Sequence, residues 1–139
     1  MTASRLFLGQ IRQHIAERRD FAFETTLAGR EYLRLVSQLR DDGWRVELLY
    51  LALPNVEMSR QRVAERVARG GHAIRDADIT RRFPRSLRNL FEAYSTAVDE
   101  AHCILNDQPV PSQVFWQRGP ERTIVDETIY HQLMQEAIR

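Results

Sequence analysis

Apolar residues recur along this chain with two different periods, and the changes between them mark out its elements. Leu8, Ile11 and Ile15 share one helical face with polar residues between them. This predicts a helix over residues 4–19, with Ser4 near its N-cap and Asp20 at its end. Phe21, Ala22 and Phe23 predict a short buried strand. The helical period returns with Tyr32, Leu33, Leu35, Val36 and Leu39, and Gly43 suits the left-handed residue that closes such a helix. Residues 45–51 give the clearest strand signal, β-branched and apolar, expected to be buried on both faces near its end. Pro54-Asn55 reads as a turn with Asn55 a possible N-cap, and Val56, Met58, Val63 and Val67 predict a helix to Arg69 that Gly70-Gly71 stops. Asp76 or Asp78 is expected to cap a short helix. Leu87, Leu90, Phe91 and Tyr94 predict a separate, longer one over 86–98. Residues 101–105 read as a third core strand, and Pro109 and Pro111 as a loop. Residues 112–117 and 122–125 form a hairpin pattern around Gly119-Pro120. Ile129, Leu133, Met134 and Ala137 mark a last helix from Asp126. There is no internal repeat or low-complexity tract. Strand and helix alternate, which predicts an α/β architecture with parallel strands.

Composition narrows the reading. The 139 residues fit a single domain, and 43% hydrophobic with 28% charged residues suits one core under a charged surface. A formal charge of +1 gives no global attraction to nucleic acid or to a membrane. All twenty basic residues are Arg, which reads as source base composition rather than adaptation. Nine of them lie within residues 60–88 against Glu65, Asp76 and Asp78, a local balance of +6. One cysteine, Cys103, excludes an internal disulfide framework and suits a reducing, cytoplasmic setting. No apolar run approaches the ~20 residues that span a bilayer, and the N-terminus carries no signal-peptide core.

Two stretches carry candidate chemistry. Glu24, Thr25 and Thr26 directly follow a predicted strand, at the edge where open α/β sheets bind ligands. A carboxylate and two hydroxyls there suit a substrate's hydroxyl and phosphate groups; they equally suit a capped helix start. The second stretch runs from Glu65 through Arg66, Arg69, the glycine pair and His72 to Arg75, with Arg81 and Arg82 beyond. A hinged, arginine-rich segment of this kind can close over a transferring phosphoryl group. The alternative is a solvated arginine-rich helix pair. His14, His102 and His131 show no metal spacing, and without interleaved exposed aromatics or a recognised module, nucleic-acid binding is the weaker reading.

Four segments in order, residues 21–30 (FAFETTLAGR), 46–51 (VELLYL), 62–72 (RVAERVARGGH) and 81–90 (RRFPRSLRNL), resemble zeta-toxin-like P-loop kinases, chiefly the chromosomal branch described as predicted ATPases. The resemblance covers almost the whole chain. It implies a P-loop-kinase-like parallel sheet flanked by helices, with a C-terminal hairpin and helix. It also implies ATP- or GTP-dependent phosphorylation, with Mg2+, of a small molecule such as a UDP-amino sugar. Carried over by position, Glu24 and Thr26 would contact substrate, with Arg30 a loose substitute for an arginine the toxins place where Ala28 stands. Arg66 and Arg75 would be the lid arginines, with Arg69 and Arg82 beside them and residues 60–88 as the lid. Asn106 and Asp107 would lie near the nucleotide base, where the family's usual Tyr-Asp-Asn-Ser is replaced by Leu105-Asn-Asp-Gln. The family's first two strands, its Gly-rich phosphate loop with Lys, and its catalytic Asp have no counterpart here. The expectation is therefore a portion of such a kinase, inactive alone. Its strands would be completed by an N-terminal kinase fragment, by a second copy of the chain, or by a rearranged sheet. The alternative is a non-enzymatic remnant that acts through strand pairing.

Overall fold

A four-stranded sheet with helices packed on one face organises the computed structural model, which describes residues 3–139. In chain order the elements are α1 (Ala3–Ala16), α2 (Leu33–Asp41), β1 (Glu47–Ala52), α3 (Val56–Ala68), α4 (Asp76–Asn89), a π-helical turn (Leu90–Tyr94), α5 (Ser95–Ala97), β2 (Glu100–Leu105), β3 (Ser112–Arg118), β4 (Glu121–Ile124) and α6 (Glu127–Ala137). Strand order follows chain order: β1 pairs β2 in parallel, and β3 and β4 add antiparallel. The fold is mixed α/β with a C-terminal hairpin and helix. The parallel pair needs a long crossover, and α3, α4 and the π-helical turn supply it.

The strand period sorts the side chains. Tyr50 and Ala52 of β1, Ala101, Cys103 and Leu105 of β2, and Phe115 of β3 join Leu87, Leu90, Phe91 and Leu133 from the helices in one core. Phe115 is its centre, with Phe91 stacked at 5.6 Å and Tyr130 edge-on at 5.5 Å. Full burial of such side chains contributes roughly 1.5–3 kcal/mol each. Cys103 lies in this core and burial pushes its thiol up to about 12, so it is packing, not a nucleophile.

Two helix starts follow local chemistry, but α4 does not: Arg75, with no side-chain cap bond, stands at its N-cap, and Asp76 and Asp78, expected to cap it, lie inside its first turn. Asn55 accepts from the Met58 amide at 2.9 Å and Asp126 from the Ile129 amide at 3.1 Å, each an N-cap. α2 ends at Gly43 (φ +86), with the Trp44 amide bonded back to Leu39. The side chain of Ser4, expected near an N-cap, lies outside the described residues.

Three expectations are corrected. Residues 21–23 are not a strand: a cavity of about 510 Å³, lined by both segments, lies between them and β1. Aromatic contacts hold the segment instead, Phe21 with His14 and Trp44, and Phe23 with Phe7 and Tyr32. The strand at 45–51 is not buried on both faces, because β1 is the sheet's edge and Leu49 and Leu51 are 60% and 56% exposed. The two helices expected over 76–98 are one helical run without a break before Ser86, where the second was expected to start. Pro84 forgoes a single backbone bond there, while Ile79, Leu87 and Leu90 around it are buried.

Candidate functional site

The chain leaves α1 and crosses residues 24–30 as a loop whose backbone is captured by α4 and the π-helical turn. Ser86 donates to the Thr26 carbonyl at 2.6 Å. The Asn89 amide group donates to the Leu27 carbonyl at 2.8 Å and the Gly29 carbonyl at 3.4 Å. Tyr94 donates to the Gly29 carbonyl at 3.1 Å and accepts from the Tyr32 amide at 3.3 Å. Leu27 is buried with φ +59, a conformation that costs a branched side chain energy and needs surrounding contacts to persist. The Thr25 and Thr26 hydroxyls each accept the amide two residues on, Leu27 at 3.2 Å and Ala28 at 3.3 Å. These short-range bonds are what threonine offers a turn. No helix starts here, so the expectation that Thr26 caps one gives way to a clamped loop.

At the C-terminal end of β1 this loop meets the α3–α4 pair. Thr26, Arg66 and Arg82 line one cleft of about 210 Å³, together with Tyr50, Ser86, Leu51, Leu53 and Phe83. The Tyr50 hydroxyl bonds Ser86 at 2.8 Å, and burial raises the Tyr50 phenol well above its ordinary range, keeping it protonated. The cleft thus has a floor of satisfied hydroxyls, apolar walls, and two exposed guanidinium groups without carboxylate partners among the described residues. Such groups suit phosphate oxygens. No group of three His, Cys, Asp or Glu residues among the described ones is placed to hold a metal.

The other expected site residues do not line this cleft. Glu24 is exposed on the loop. Arg30 turns away to Asn89 Oδ1 at 3.0 Å and Glu92 at 3.5 Å. Arg69 is exposed at the end of α3, and Arg75, 84% exposed, pairs with Asp78 at 3.3 Å. The Asn106 carbonyl accepts from Arg62 on α3 at 3.0 Å, tying the loop after β2 to the arginine-rich pair. One Asp107 carboxylate oxygen is buried without a hydrogen-bond partner among the described residues.

The α3–α4 pair has a defined geometry. α3 buries no side chain, and Arg60 holds it to α4 through Asp76 at 2.6 Å and Thr80 at 2.7 Å, while also pairing with Glu57 on its own helix. Gly70 has φ +93 and donates to Val67, while Gly71 donates to the Arg66 carbonyl at 2.8 Å. The pair therefore closes α3 in a Schellman motif. A Cβ at Gly71 would stand 2.9 Å from that carbonyl. Tyr50, Ser86, Asn89 and Tyr94 were not expected at the site; Tyr94 reads as a helix-face residue, and the spacing of Ser86 and Asn89, three apart in a helical run, is the one available sign.

A protein of Haemophilus influenzae (strain ATCC 51907 / DSM 11121 / KW20 / Rd), bearing the description "Uncharacterized protein", is 32% identical over 78 residues, which is 56% of this chain and 53% of the relative. The matched region thus spans about half the length of that curated relative. No solved structure matches the chain. Among the described residues no helix is long and apolar enough to cross a membrane. The sequence matches the family described as Zeta toxin over residues 2–118, most of its length, and the chain belongs to that family.

Proposed function

We propose that this chain is the substrate- and lid-bearing part of a nucleotide-dependent kinase that phosphorylates a small, hydroxyl-bearing molecule of the UDP-amino-sugar type. The observation that carries the reading is the cleft that unites Thr26 with Arg66 and Arg82 at the C-terminal end of β1. Glu24 and Thr26 face the substrate on a loop clamped from below, and Arg30 helps hold that loop. Arg66 and Arg82 neutralise phosphoryl oxygens, and Arg69 and Arg75 join them as α3 and α4 close. Asn106 approaches the base. ATP or GTP with Mg2+ supplies the phosphoryl group when bound. The residues present fit its terminal phosphate, not its whole length, because the Gly-rich backbone cradle and its Lys are not in this sequence. That loop acts from whichever polypeptide carries it.

The test is a phosphorylation assay with UDP-N-acetylglucosamine, Mg2+ and ATP or GTP. It is run on the chain alone and on the chain mixed with a family segment bearing the Gly-rich loop. Product is expected only from the mixture, and Arg66→Ala should reduce it on the order of 100-fold. Product from the isolated chain that Glu24→Ala abolishes would overturn the division of labour.

A second reading rests on the edge of β1, which has no strand partner among the described residues and borders the 510 Å³ cavity. Unpaired edges recruit strands, and a non-enzymatic protein would use this one to pair with a second copy or with a kinase homologue. Sedimentation of the chain alone and with such a homologue separates the readings.

A further inference from the structure

The helical run from Asp76 to Ala97 is interrupted once, by the π-helical turn Leu90–Tyr94, where the Ser95 amide reaches back to the Leu90 carbonyl. A π-helical turn inserts one residue, and one residue rotates everything beyond it by about 100° around the helix axis. Ser86 and Asn89 share a face, and in an unbroken helix Ala93 would stand on it next, seven positions after Ser86. The inserted residue puts Tyr94 there instead. From that position its hydroxyl bonds the Gly29 carbonyl and the Tyr32 amide, completing the line of Ser86, Asn89 and Tyr94 along the loop.

The turn is itself pinned from the opposite side. Arg122 on β4 donates to the Phe91 carbonyl at 3.1 Å and Ser95 Oγ at 2.9 Å. It also donates to Tyr130 Oη at 2.9 Å and Gln117 Oε1 at 2.8 Å. Its guanidinium lies 5.6 Å from the Phe91 ring centre and 5.0 Å from that of Phe115. All four acceptors are neutral. A half-buried cation with no carboxylate is a poor choice for stability alone, since apolar packing of the same volume usually serves as well. Its donors fan out to four elements, the π-helical turn, α5, α6 and β3.

We infer that Arg122 and Tyr94 are positioning residues for the cleft: Arg122 fixes the π-helical turn, the turn aims Tyr94, and Tyr94 holds the substrate loop so that Thr26 faces Arg66 and Arg82. The link to substrate rests on the function proposed above; the link from Arg122 to the loop does not.

The experiment has two arms, on Tyr94→Phe, Arg122→Gln and a control, Leu133→Val, which weakens the shared core but removes no hydrogen-bonding group of this path. In the first arm amide exchange is followed at Leu27, Ala28 and Tyr32 against β2. Tyr94→Phe and Arg122→Gln should speed the loop amides about tenfold relative to β2, the size of one lost hydrogen bond. Leu133→Val should move both sets together. In the second arm UDP-N-acetylglucosamine is titrated; both positioning variants should weaken binding about tenfold while Leu133→Val leaves it unchanged. Loop exchange that follows global stability in both positioning variants overturns the inference. If the parent chain does not bind the probe, the proposed substrate class fails and the exchange arm alone decides. If Arg122→Gln does not fold, Tyr94→Phe, which removes one oxygen, decides by the same criterion.

Discussion

Ser86 shows how much a single hydroxyl can join. It donates to the Thr26 carbonyl and bonds the Tyr50 hydroxyl, so loop, α4 and β1 meet at one oxygen. Ser86→Ala strips both neighbours of a partner and is expected to destabilise the chain by about 1–3 kcal/mol in urea unfolding. Arg82→Ala, on an exposed residue without an ion pair, should leave stability within about 0.5 kcal/mol and yet weaken binding of the UDP-sugar probe. A stability loss for Arg82→Ala as large as that for Ser86→Ala would mean the guanidinium serves packing rather than ligand. The sequence made the arginines legible because charge clusters are local. It could not rank them, since their availability depends on where the few carboxylates fall. Asp78 draws off Arg75 and Arg81, and Asp76 with Glu57 draws off Arg60, leaving Arg66 and Arg82 free in the cleft. The loop's clamp was illegible for a different reason: its donors sit about sixty residues away.

Most element ends were legible where their signals were short-range, although α4 takes Arg75 rather than Asp76 or Asp78 at its N-cap. The caps at Asn55 and Asp126 and the closing glycines at 43 and 70 work within one turn, and they stand where the pattern put them. Phe21–Phe23 misled because an apolar triplet says nothing about whether a neighbouring strand is within reach. Pro84 misled in the opposite direction, since one lost backbone bond does not end a helix whose face is buried. Two predictions belong at this scale. Gly71→Ala drives a methyl against the Arg66 carbonyl, so it should unwind the last turn of α3, lowering helicity by circular dichroism and weakening probe binding through Arg66. Glu100, at the start of β2, accepts Arg118 of β3 at 3.0 Å and Arg45 before β1 at 2.7 Å. Arg118, chiefly, holds its carboxyl below the ordinary 4.5. A depressed folded value means the contribution is present above about pH 4.5 and is lost as the pH falls through that lower value. Thermal unfolding from pH 7 to pH 3 should therefore show a shallower acid decline in Glu100→Gln than in the parent chain. Parallel declines would mean that Glu100 contributes nothing to the acid limb.

At the scale of the whole molecule the sheet is finished on one side and open on the other. The hairpin β3–β4 folds back under α6 and is closed by Arg122, whereas β1 presents an unpaired edge, two exposed leucines and the cavity beside residues 20–27. An exposed apolar edge of this kind is where strands from other chains add. Leu49 and Leu51 stand on the face turned away from the core, so replacing both by Lys removes little native packing. Stability of the isolated chain should change by less than about 1 kcal/mol, the sum of two ordinary surface substitutions. Association should change much more, because Lys on an edge strand opposes pairing with a further strand. Sedimentation across a concentration series is expected to show reversible self-association in the parent chain and a monomer in Leu49→Lys/Leu51→Lys. Leu49→Lys alone, which leaves the cleft residue Leu51 in place, should likewise fail to gain phosphorylation activity when mixed with the loop-bearing family segment. A parent chain that stays monomeric, with a Leu49→Lys variant that still forms an active mixture, would show that the open edge of β1 is not where this protein is completed.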